Sequence, residues 1–570
     1  MTPKELYIIK TQWSDRMFRK TKPATQLNLF TSTYSQLSGK ALKIYENDKE
    51  WHNQFRERIL EKIDEVLFSP LFTEDLGAPN SSIRVLVCMM ILKEAFGCSD
   101  SFLFDNCRFH ALFRSALGLH NSDDPIPAES TYYLLRKKIL EWEQAGNGNL
   151  LEQVFTQVTK SQIAEFNING NKIRIDSKIL GSNIAWLSRY ELVHETLRVA
   201  CKSISIPFDK FLSASELDVL KEISTETCSN VSYRSTNEQL QAKLIQLGII
   251  TFKLLTVIRT DVTEPIEVLR KMFYQQFEVV DKEVILLPQE RLASARIESP
   301  HDPDCHFRKK RDKKQKGYSI NITETCNPEN TVNVVTNVIV EPASISDNKF
   351  MIPALESTQE MFPQKIKTLN ADGAYHSTPN HDYCSEKKID FVLSALGSTN
   401  SHLEHSVDAD GNLICLDTRT GTLLRTRKVV TKNENAPSKW AVYYPDRKKH
   451  RYITQHDVDI SLLRKQIANR SKEELNLRCN VEATIFQLGY HYRANKSRYR
   501  GLIKHRMWAN IRCMWINFVR IMKYITSIDP NCENICQNCA LFVQNLVINA
   551  IYSLEKIFGR FFNIKTPNFA

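Results

Sequence analysis

The sequence has no uninterrupted apolar run of transmembrane length, no signal-peptide pattern at its start and no Gly-x-x-x-x-Gly-Lys-Ser/Thr phosphate loop. A helix that spans a bilayer needs about 20 predominantly apolar residues, so we expect no membrane partner. The missing phosphate loop argues against an ATP-driven motor. The 14 cysteines in 570 residues form no disulfide framework, and we therefore expect a reduced, soluble protein of the cytoplasm.

Positive charge is in excess and unevenly spread. The formal net charge is +11, and residues 307–317 and 492–506 are strongly basic, the second segment without a single acidic residue. Such clusters indicate a polyanionic partner, usually nucleic acid, although each could also be a solvated face. No histidine is followed by arginine three positions later and no His-hydrophobic-His pair occurs, which argues against tyrosine recombinases and rolling-circle nickases.

Changes of pattern along the chain predict its domain organisation. From Trp51 onward apolar residues recur at helical spacing, which predicts an all-helical module that reads DNA through a helix-turn-helix or is a simple bundle. The predicted segments are a flexible arm (1–45), a helical DNA-binding domain (46–168), an α/β domain (169–399 and 456–525) with a helical insert (185–300), a β-rich insert (400–455) and a C-terminal helical segment (526–570).

Two aspartates lie at the ends of predicted strands. Without the inserts the α/β domain reads strand, strand, strand, helix, strand, helix, strand, helix, the order of a ribonuclease-H-like mixed sheet. Asp176 ends the first strand, 172–180, and Asp372 ends the fourth, in "LNADGAYHS". A turn is the alternative reading of Asp372, because Asp-Gly commonly follows a strand.

A third acid, Glu482, is predicted on the helix after the fifth strand. Val481, Ile485 and Leu488 form an apolar stripe that anchors this helix, and Arg478 shares a face with Glu482 one turn away. An exposed Glu–Arg pair of this kind would contribute only a few tenths of a kcal/mol. A carboxylate cluster, in contrast, suits phosphodiester cleavage by two Mg²⁺ ions (or Mn²⁺), which lie about 3.5–4 Å apart and prefer hard oxygen ligands.

Three segments carry a family resemblance. "RIDSKILGSNIAWLSRYEL", "LNADGAYHS" and "RCNVEATIFQLGYHYRANKSRYRGLIKH" resemble the corresponding segments of bacterial insertion-sequence transposases of the DDE class, and residues 50–140 resemble their N-terminal domain. The similarity covers most of residues 50–525. It implies that Asp176, Asp372 and Glu482 are the metal-binding triad and that Arg478 orients the scissile phosphate. Some relatives carry a tyrosine and a lysine where this chain has Leu475 and Gly489.

The resemblance implies a cut-and-paste transposase that cleaves and transfers strands at the terminal inverted repeats of an insertion sequence. It implies double-stranded DNA as the partner, both element ends and target, a homodimer in the active complex, and association with the bacterial nucleoid. A nuclease of the same fold without strand transfer and a catalytically silent DNA-binding regulator stay open as alternatives. The residues expected to contact DNA are Arg493, Lys496, Arg498, Tyr499, Arg500, Lys504 and Trp440.

Two further groups are weaker candidates for metal binding. Asp302 and Asp304 precede a basic run, but an Asp-Pro loop with turn-forming acids is the simpler interpretation. Cys532, Cys536 and Cys539 lie within eight residues, yet a zinc site would need a fourth ligand and no histidine follows them. Trp440 also has an alternative, since it could pack its own small sheet instead of stacking on a base.

Overall fold

The computed structural model describes residues 16–21, 27–28, 30–74, 77–258, 263–310, 312–396, 402–429, 438–444, 450–492 and 495–528, and these form a mixed α/β protein. The N-terminal region is mainly helical, as predicted. Its principal elements are β1 Arg16–Met17, α1 Thr33–Gln36, α2 Gly39–Glu46, α3 Trp51–Arg58, β2 Ala78–Pro79, α4 Ile83–Phe96, α5 Asp100–Phe109, α6 Ala111–Ala116, α7 Glu129–Gln144 and α8 Leu150–Glu165.

Helix α4 is the buried centre of this region. Its first turn is capped by the Ser82 hydroxyl, which accepts from the Val85 N–H, and it ends at Gly97 in the left-handed conformation (φ 63°). The predicted helix end at Gly97 is therefore confirmed. Glycine favours that conformation because it has no Cβ to clash.

Part of the predicted flexible arm is ordered. Residues 33–46 form α1 and α2, and Tyr45 in α2 is buried against the N-terminal helices. The Asn53 side-chain amide donates to the Tyr45 carbonyl at 3.0 Å. The prediction of a loose arm is therefore wrong for these positions.

The first strand of the central sheet is followed by the predicted helical insert. One helix of the insert, α12 (Asn237–Val257), is long and apolar enough by composition to cross a membrane. Its residues Leu247 and Leu254, however, lie in the apolar core of the insert. The hairpin β4–β5 was not predicted, and its turn places Asp281 and Lys282 at positive φ. These elements are β3 Lys172–Gly181, α9 Arg189–Cys201, α10 Ala214–Thr225, α11 Cys228–Arg234, α12 Asn237–Val257, α13 Glu264–Gln276, β4 Phe277–Val280 and β5 Glu283–Leu286.

The central mixed sheet is completed after the insert. Its remaining elements are β6 His306–Lys310, β7 Lys313–Thr325, β8 Val335–Pro342, α14 Met351–Gln359, β9 Thr368–Ala371, α15 Thr378–Lys387 and β10 Asp390–Leu393. Strand β7 is antiparallel to β3, β6 and β8, whereas β9 is parallel to both β3 and β10. The predicted antiparallel pairing of the first three strands and parallel pairing of the later ones are observed.

The basic segment 307–317 forms an unpredicted hairpin. Strand β6 pairs with the first half of β7, from His306 opposite Gly317 to Lys310 opposite Lys313. The lysine-rich sequence hid the strand, because lysine is depleted from strands on average and is common on exposed edges. Lys309, Lys313 and Lys314 are exposed on this hairpin.

The β-rich insert and the helices that follow it complete the described chain. The insert is a five-stranded antiparallel sheet in sequential order, and α16 packs on its first strand. These elements are β11 Leu403–Val407, β12 Leu413–Asp417, β13 Thr422–Lys428, β14 Lys439–Tyr443, β15 Arg451–Thr454, α16 Gln455–Asn469, α17 Lys472–Asn476, α18 Asn480–Leu488 and α19 Leu502–Ile528.

The N-terminal helices share one apolar core with the central sheet. Helix α19 contacts α4, α8 and β8, and Phe55 of the N-terminal region stacks edge-on against Phe518 of α19 at 5.4 Å between ring centroids. Both residues belong to a single buried cluster that also contains Ile320 and Val338 of the sheet. The helical region is therefore joined to the α/β domain by a continuous core.

Candidate functional site

Asp176 and Asp372 are neighbours on adjacent strands of the sheet. Asp372 directly follows β9, as predicted, but Asp176 lies in the middle of β3 and not at its end, because β3 continues beside β7 to Gly181. In the parallel pair β3–β9, Arg174 is opposite Asn370, so Asp176 and Asp372, each two residues further on, share a level. Asp372 continues β9 with extended backbone (φ −85°, ψ 171°). Because adjacent strands lie about 4.8 Å apart, the two carboxylates project from neighbouring positions.

The turn after Asp372 fixes its carboxylate. The Ala374 N–H donates to Asp372 Oδ1 at 2.8 Å, so Asp372 caps a short 3₁₀ turn at Gly373–Tyr375. A Cβ on Gly373 would lie 2.1 Å from the Ala395 carbonyl oxygen, which leaves no room for a side chain. The turn predicted from Asp-Gly and a strand-end carboxylate are thus both present at this position.

Arg478 links the carboxylates of Asp176 and Glu482. Its Nη2 donates to Glu482 Oε1 at 3.0 Å, and its Nη1 lies 3.6 Å from Asp176 Oδ2. The predicted Arg478–Glu482 pairing across one helical turn is therefore observed. The side chain of Glu482 is 65% exposed whereas that of Arg478 is only 17% exposed, so the site is open to solvent on the Glu482 side.

Tyr375 lies beneath the acids. It is fully buried, and its hydroxyl donates to Asn321 Oδ1 at 2.6 Å. Burial, and then the negative charges of Asp176, Asp347 and Asp372, raise the pKa of Tyr375 well above its ordinary value. The phenol therefore stays neutral.

A buried ionic cluster positions the helix that carries Glu482. The Glu324 cluster consists of Glu324 on β7, Arg174 on β3, Thr484 on α18 and Arg520 on α19. Glu324 Oε1 accepts from Arg174 Nε at 2.5 Å, and Oε2 accepts from the Thr484 hydroxyl and lies 2.8 Å from Arg520 Nη1. Arg174 also donates to the Leu477 carbonyl at 2.9 Å. One carboxylate thus joins two strands and two helices under the site.

The Glu324 cluster changes which residues of α18 are buried. Val481, Thr484 and Leu488 are buried, whereas Ile485 is only partly buried. The predicted stripe is confirmed at Val481 and Leu488, but Thr484 replaces Ile485 at its centre because the threonine hydroxyl reaches Glu324. Sequence reasoning missed the cluster, since its members are scattered between positions 174 and 520.

Lys178 is a second residue that the sequence did not single out. It follows Asp176 by two positions on β3, so both side chains lie on the face covered by α18. Its Nζ donates to the Ile485 carbonyl at 3.5 Å and makes no ion pair with any described residue. A Cβ on Gly489 would lie 2.9 Å from this Nζ. Burial lowers the pKa of Lys178, and the alternation Asp176-x-Lys178 was the only signal in the sequence.

The acidic residues fit a divalent metal ion. Asp176, Asp372 and Glu482 offer carboxylate oxygens, which are the hard ligands that Mg²⁺ and Mn²⁺ prefer. Two of these carboxylates already converge on the cationic Arg478, and the third is at the same level of the adjacent strand. The donor set therefore suits Mg²⁺ better than zinc, which favours imidazole and thiolate.

The expected DNA-contacting residues of the basic segment are partly used by the fold. Arg498 donates to the carbonyls of Cys98 and Gly97 at the end of α4, and Lys496 and Arg500 donate to the carbonyls of Ile184 and Asn183. The side chains of Lys496, Arg498, Arg500 and Lys504 remain exposed. Arg493 lies outside the described residues, as do Cys532, Cys536 and Cys539.

Two aromatic residues predicted to contact DNA are instead packed within the protein. Trp440 is 1% exposed in the core of the β-rich insert, and its Nε1 donates to the Gly411 carbonyl at 3.2 Å. No ring face is left for stacking on a base, so the alternative that it packs its own sheet is the one observed. The Tyr499 ring is partly buried in the apolar core and its hydroxyl donates to Glu94. Burial, and then Glu94, raise the pKa of Tyr499.

Asp302 is also structural. It is fully buried, and its carboxylate accepts hydrogen bonds from the hydroxyls of Ser182 and Tyr318. The Cys305 N–H donates to the Asp302 carbonyl at 3.2 Å, which closes the loop before β6. The loop interpretation is therefore the one observed for this residue.

Comparison with known families gives two matches. Residues 280–518 match the family described as "Transposase DDE domain", and residues 44–138 match "Transposase domain (DUF772)". The first match contains Asp372, Arg478 and Glu482 and begins after the strand that carries Asp176. No curated protein matches the chain.

Proposed function

Because this chain belongs to the DDE transposases of insertion sequences, we propose that it cleaves DNA at the terminal inverted repeats of such an element and transfers the freed strands to target DNA. The observation that carries the proposal is the meeting of Asp176, Asp372 and Glu482, with Arg478 between two of them. Transposition enzymes of this family typically use divalent metal ions.

We further propose that the α/β domain is ribonuclease-H-like. The strand order β8-β7-β3-β9-β10, with three antiparallel strands followed by two parallel ones, supports this assignment. Asp372 directly follows β9, and Asp176 lies at the same level in the middle of β3, which continues beside β7 to Gly181. The rigidity of strand ends suits a site that must hold ligands within about 0.5 Å.

In the proposed mechanism Asp176, Asp372 and Glu482 hold two Mg²⁺ or Mn²⁺ ions. Bound at these carboxylates, the ions would promote deprotonation of an attacking water and stabilise charge on the scissile phosphate. Arg478, which lies between Asp176 and Glu482, would orient that phosphate with its cationic guanidinium. Water would attack the phosphorus at the element end and displace the 3′ oxygen, which leaves a 5′-phosphate and a free 3′-hydroxyl. This hydroxyl would then attack a phosphorus of the opposite strand or of target DNA and displace the 3′ oxygen there.

The basic exposed surfaces are the proposed DNA contacts. They comprise the β6–β7 hairpin with Lys309, Lys313 and Lys314, and the exposed residues Lys496, Arg498, Arg500 and Lys504. The matched N-terminal domain is proposed as a further DNA contact on its family match and not on its charge. Each phosphate contact by lysine or arginine releases counterions and makes binding salt-dependent. Because an element has two ends, the active complex is proposed to be a homodimer, associated with the nucleoid of a bacterial cytoplasm.

Lys178 is proposed to bind a DNA phosphate beside the acids. Lys178→Met is expected to weaken DNA binding about tenfold and to reduce the slope of log K against log salt by about 0.9, because one charge contact is lost. Binding measured by fluorescence anisotropy across a salt series tests this. Lys178→Arg should restore the slope, and Lys172→Met, at the other end of β3, should leave it unchanged. An unaltered slope in Lys178→Met would remove Lys178 from the DNA surface.

The function itself is tested with the DNA ends of the flanking element. The wild-type protein is expected to nick these ends in Mg²⁺ or Mn²⁺ but not in EDTA, and to join a precut 3′-hydroxyl end to supercoiled target plasmid. Cleavage without joining would favour a nuclease that lacks strand transfer. Binding of the ends with neither reaction would favour a silent DNA-binding regulator and overturn the proposal.

A further inference from the structure

A buried group of metal-ligating side chains lies in the helical insert, away from the acidic site. His194 and Glu195 are on α9, and Cys228 is the first residue of α11. One ligand atom from each of the three lies within 4.8 Å of the other two. In a tetrahedral zinc site the metal–ligand distances are about 2.0–2.3 Å, so these atoms need only small rotations to share one ion.

His194 is a buried side chain whose ring nitrogens are available to bind a ligand. It is 0% exposed, and neither Nδ1 nor Nε2 has a hydrogen-bond partner among the described residues. A neutral imidazole carries one donor and one acceptor, and leaving such atoms buried and unpaired is unfavourable. Burial lowers the pKa of His194, so its ring is neutral, which is the form that binds metals.

Glu195 is held in place by neighbouring groups. Arg198 donates to both carboxylate oxygens, at 2.8 and 2.6 Å, and His301 Nε2 lies 2.8 Å from Oε1. Such outer contacts orient ligands in metal sites and leave further lone pairs on the carboxylate available. His301 lies at the end of the insert, just before β6, so the group connects the start of the insert to its exit.

The donor set determines the type of metal. Imidazole nitrogen, carboxylate oxygen and thiolate sulfur together suit zinc, whereas Mg²⁺ prefers oxygen alone. Burial raises the pKa of the Cys228 thiol, so metal binding must release its proton. A carboxylate and a thiolate then balance the charge of a divalent ion, and water can complete four ligands.

We propose that His194, Glu195 and Cys228 bind a structural Zn²⁺ ion that fastens α9 to α11 and the entry of the helical insert to its exit. This site is separate from the carboxylate site and does not depend on the proposed reaction. The bound ion would stabilise the helical insert in addition to its apolar core.

The test uses full-length protein stripped of metal and titrated with Co²⁺, which reports thiolate ligation by a charge-transfer absorption band. The three carboxylates of the acidic site cannot produce this band, and Cys479→Ser, which removes the exposed cysteine beside Arg478, is expected to keep it. Wild type is expected to bind about one ion per chain with the band, and Cys228→Ser is expected to lose it. Cys201→Ser, at a nearby cysteine of the same insert, is the matched control and should keep it.

The three C-terminal cysteines need their own control. A Cys532→Ser/Cys536→Ser/Cys539→Ser variant is expected to retain the band, and its loss there together with retention in Cys228→Ser would overturn the proposal. Absence of the band in wild type would also overturn it.

A thermal unfolding measurement tests the proposal even if Cys228→Ser loses the band because it misfolds. Zn²⁺ is expected to raise the unfolding midpoint of stripped wild type and Cys201→Ser, since a ligand that binds only the folded state stabilises it. His194→Gln should show no such rise, and an equal rise in His194→Gln would contradict the proposal.

Discussion

Replacing Asp372 with Asn is expected to reduce metal-dependent cleavage by on the order of 10³-fold or more, because loss of a ligand charge removes several kcal/mol of transition-state stabilisation. The fold should survive, since the Asn carbonyl oxygen can still accept from the Ala374 N–H that Asp372 accepts at 2.8 Å. Cleavage of end DNA and DNA binding, measured on the same preparations, separate a lost reaction from a lost complex.

The matched control for this substitution is Asp382→Asn. Asp382 is an exposed acid on α15, ten residues further along the chain. Asp382→Asn removes one negative charge, as Asp372→Asn does, and should leave cleavage unchanged. If Asp372→Asn cleaved DNA as fast as wild type, Asp372 would have no role as a metal ligand, and the Asp-Gly pair would be a turn alone.

Breaking the Glu324 cluster is expected to cause the largest loss of stability. Glu324→Gln leaves the buried Arg174 and the largely buried Arg520 without their anion, which typically costs about 3–5 kcal/mol. Urea unfolding measures this change. Glu341→Gln is the matched control, because Glu341 pairs with Arg506 at 2.6 Å on a half-exposed surface and should cost at most about 1 kcal/mol.

The same cluster predicts an acid-sensitive contribution to stability. Burial alone would raise the pKa of Glu324, but Arg520 and Arg174 outweigh burial and hold this pKa below its ordinary value. A carboxyl with a depressed folded-state pKa stabilises above its unfolded pKa of about 4.3, and the contribution is lost as the pH falls through the folded-state pKa. The difference between wild type and Glu324→Gln should therefore narrow below about pH 4.

A double-substitution experiment shows whether the cluster acts as a unit. Glu324→Gln combined with Arg520→Met should cost less than the sum of the two single substitutions, since the second removes a charge that the first left unpaired. Simple additivity would mean that the ion pair contributes little. Cleavage should also fall in these variants, because Glu324→Gln keeps only one of the two oxygens that accept from Arg174 and from Thr484 on the helix of Glu482.

Local patterns predicted much of the architecture. Period-two alternation predicted β3, and the i, i+4 spacing of Arg478 and Glu482 predicted a pairing that is present at 3.0 Å. A carboxylate that ends an apolar run is easily recognised in a sequence, so a candidate metal ligand of this kind can be identified without the structure. The same local signals could not predict the β6–β7 hairpin, whose lysines are exposed on an edge.

Burial was the property that local patterns predicted least well. Trp440 was a candidate for base stacking, yet it is enclosed by its own five-stranded sheet. Basic residues such as Arg498 and Arg500 donate hydrogen bonds to backbone carbonyls of distant segments. The spacing of residues in the sequence cannot predict such contacts. Whether an aromatic or basic residue contacts solvent depends on which elements pack over it.

The sequence by itself determined the order of the elements, the three candidate acids and the arginine one turn from Glu482, because each is a pattern within a few residues. Only the tertiary structure decided that Asp176 and Asp372 share a level across β3 and β9, that Glu324 ties α18 to the sheet, and that Lys178 reaches α18. These are contacts between positions up to several hundred residues apart. Strand register and helix docking create them, and both depend on the burial of the whole core.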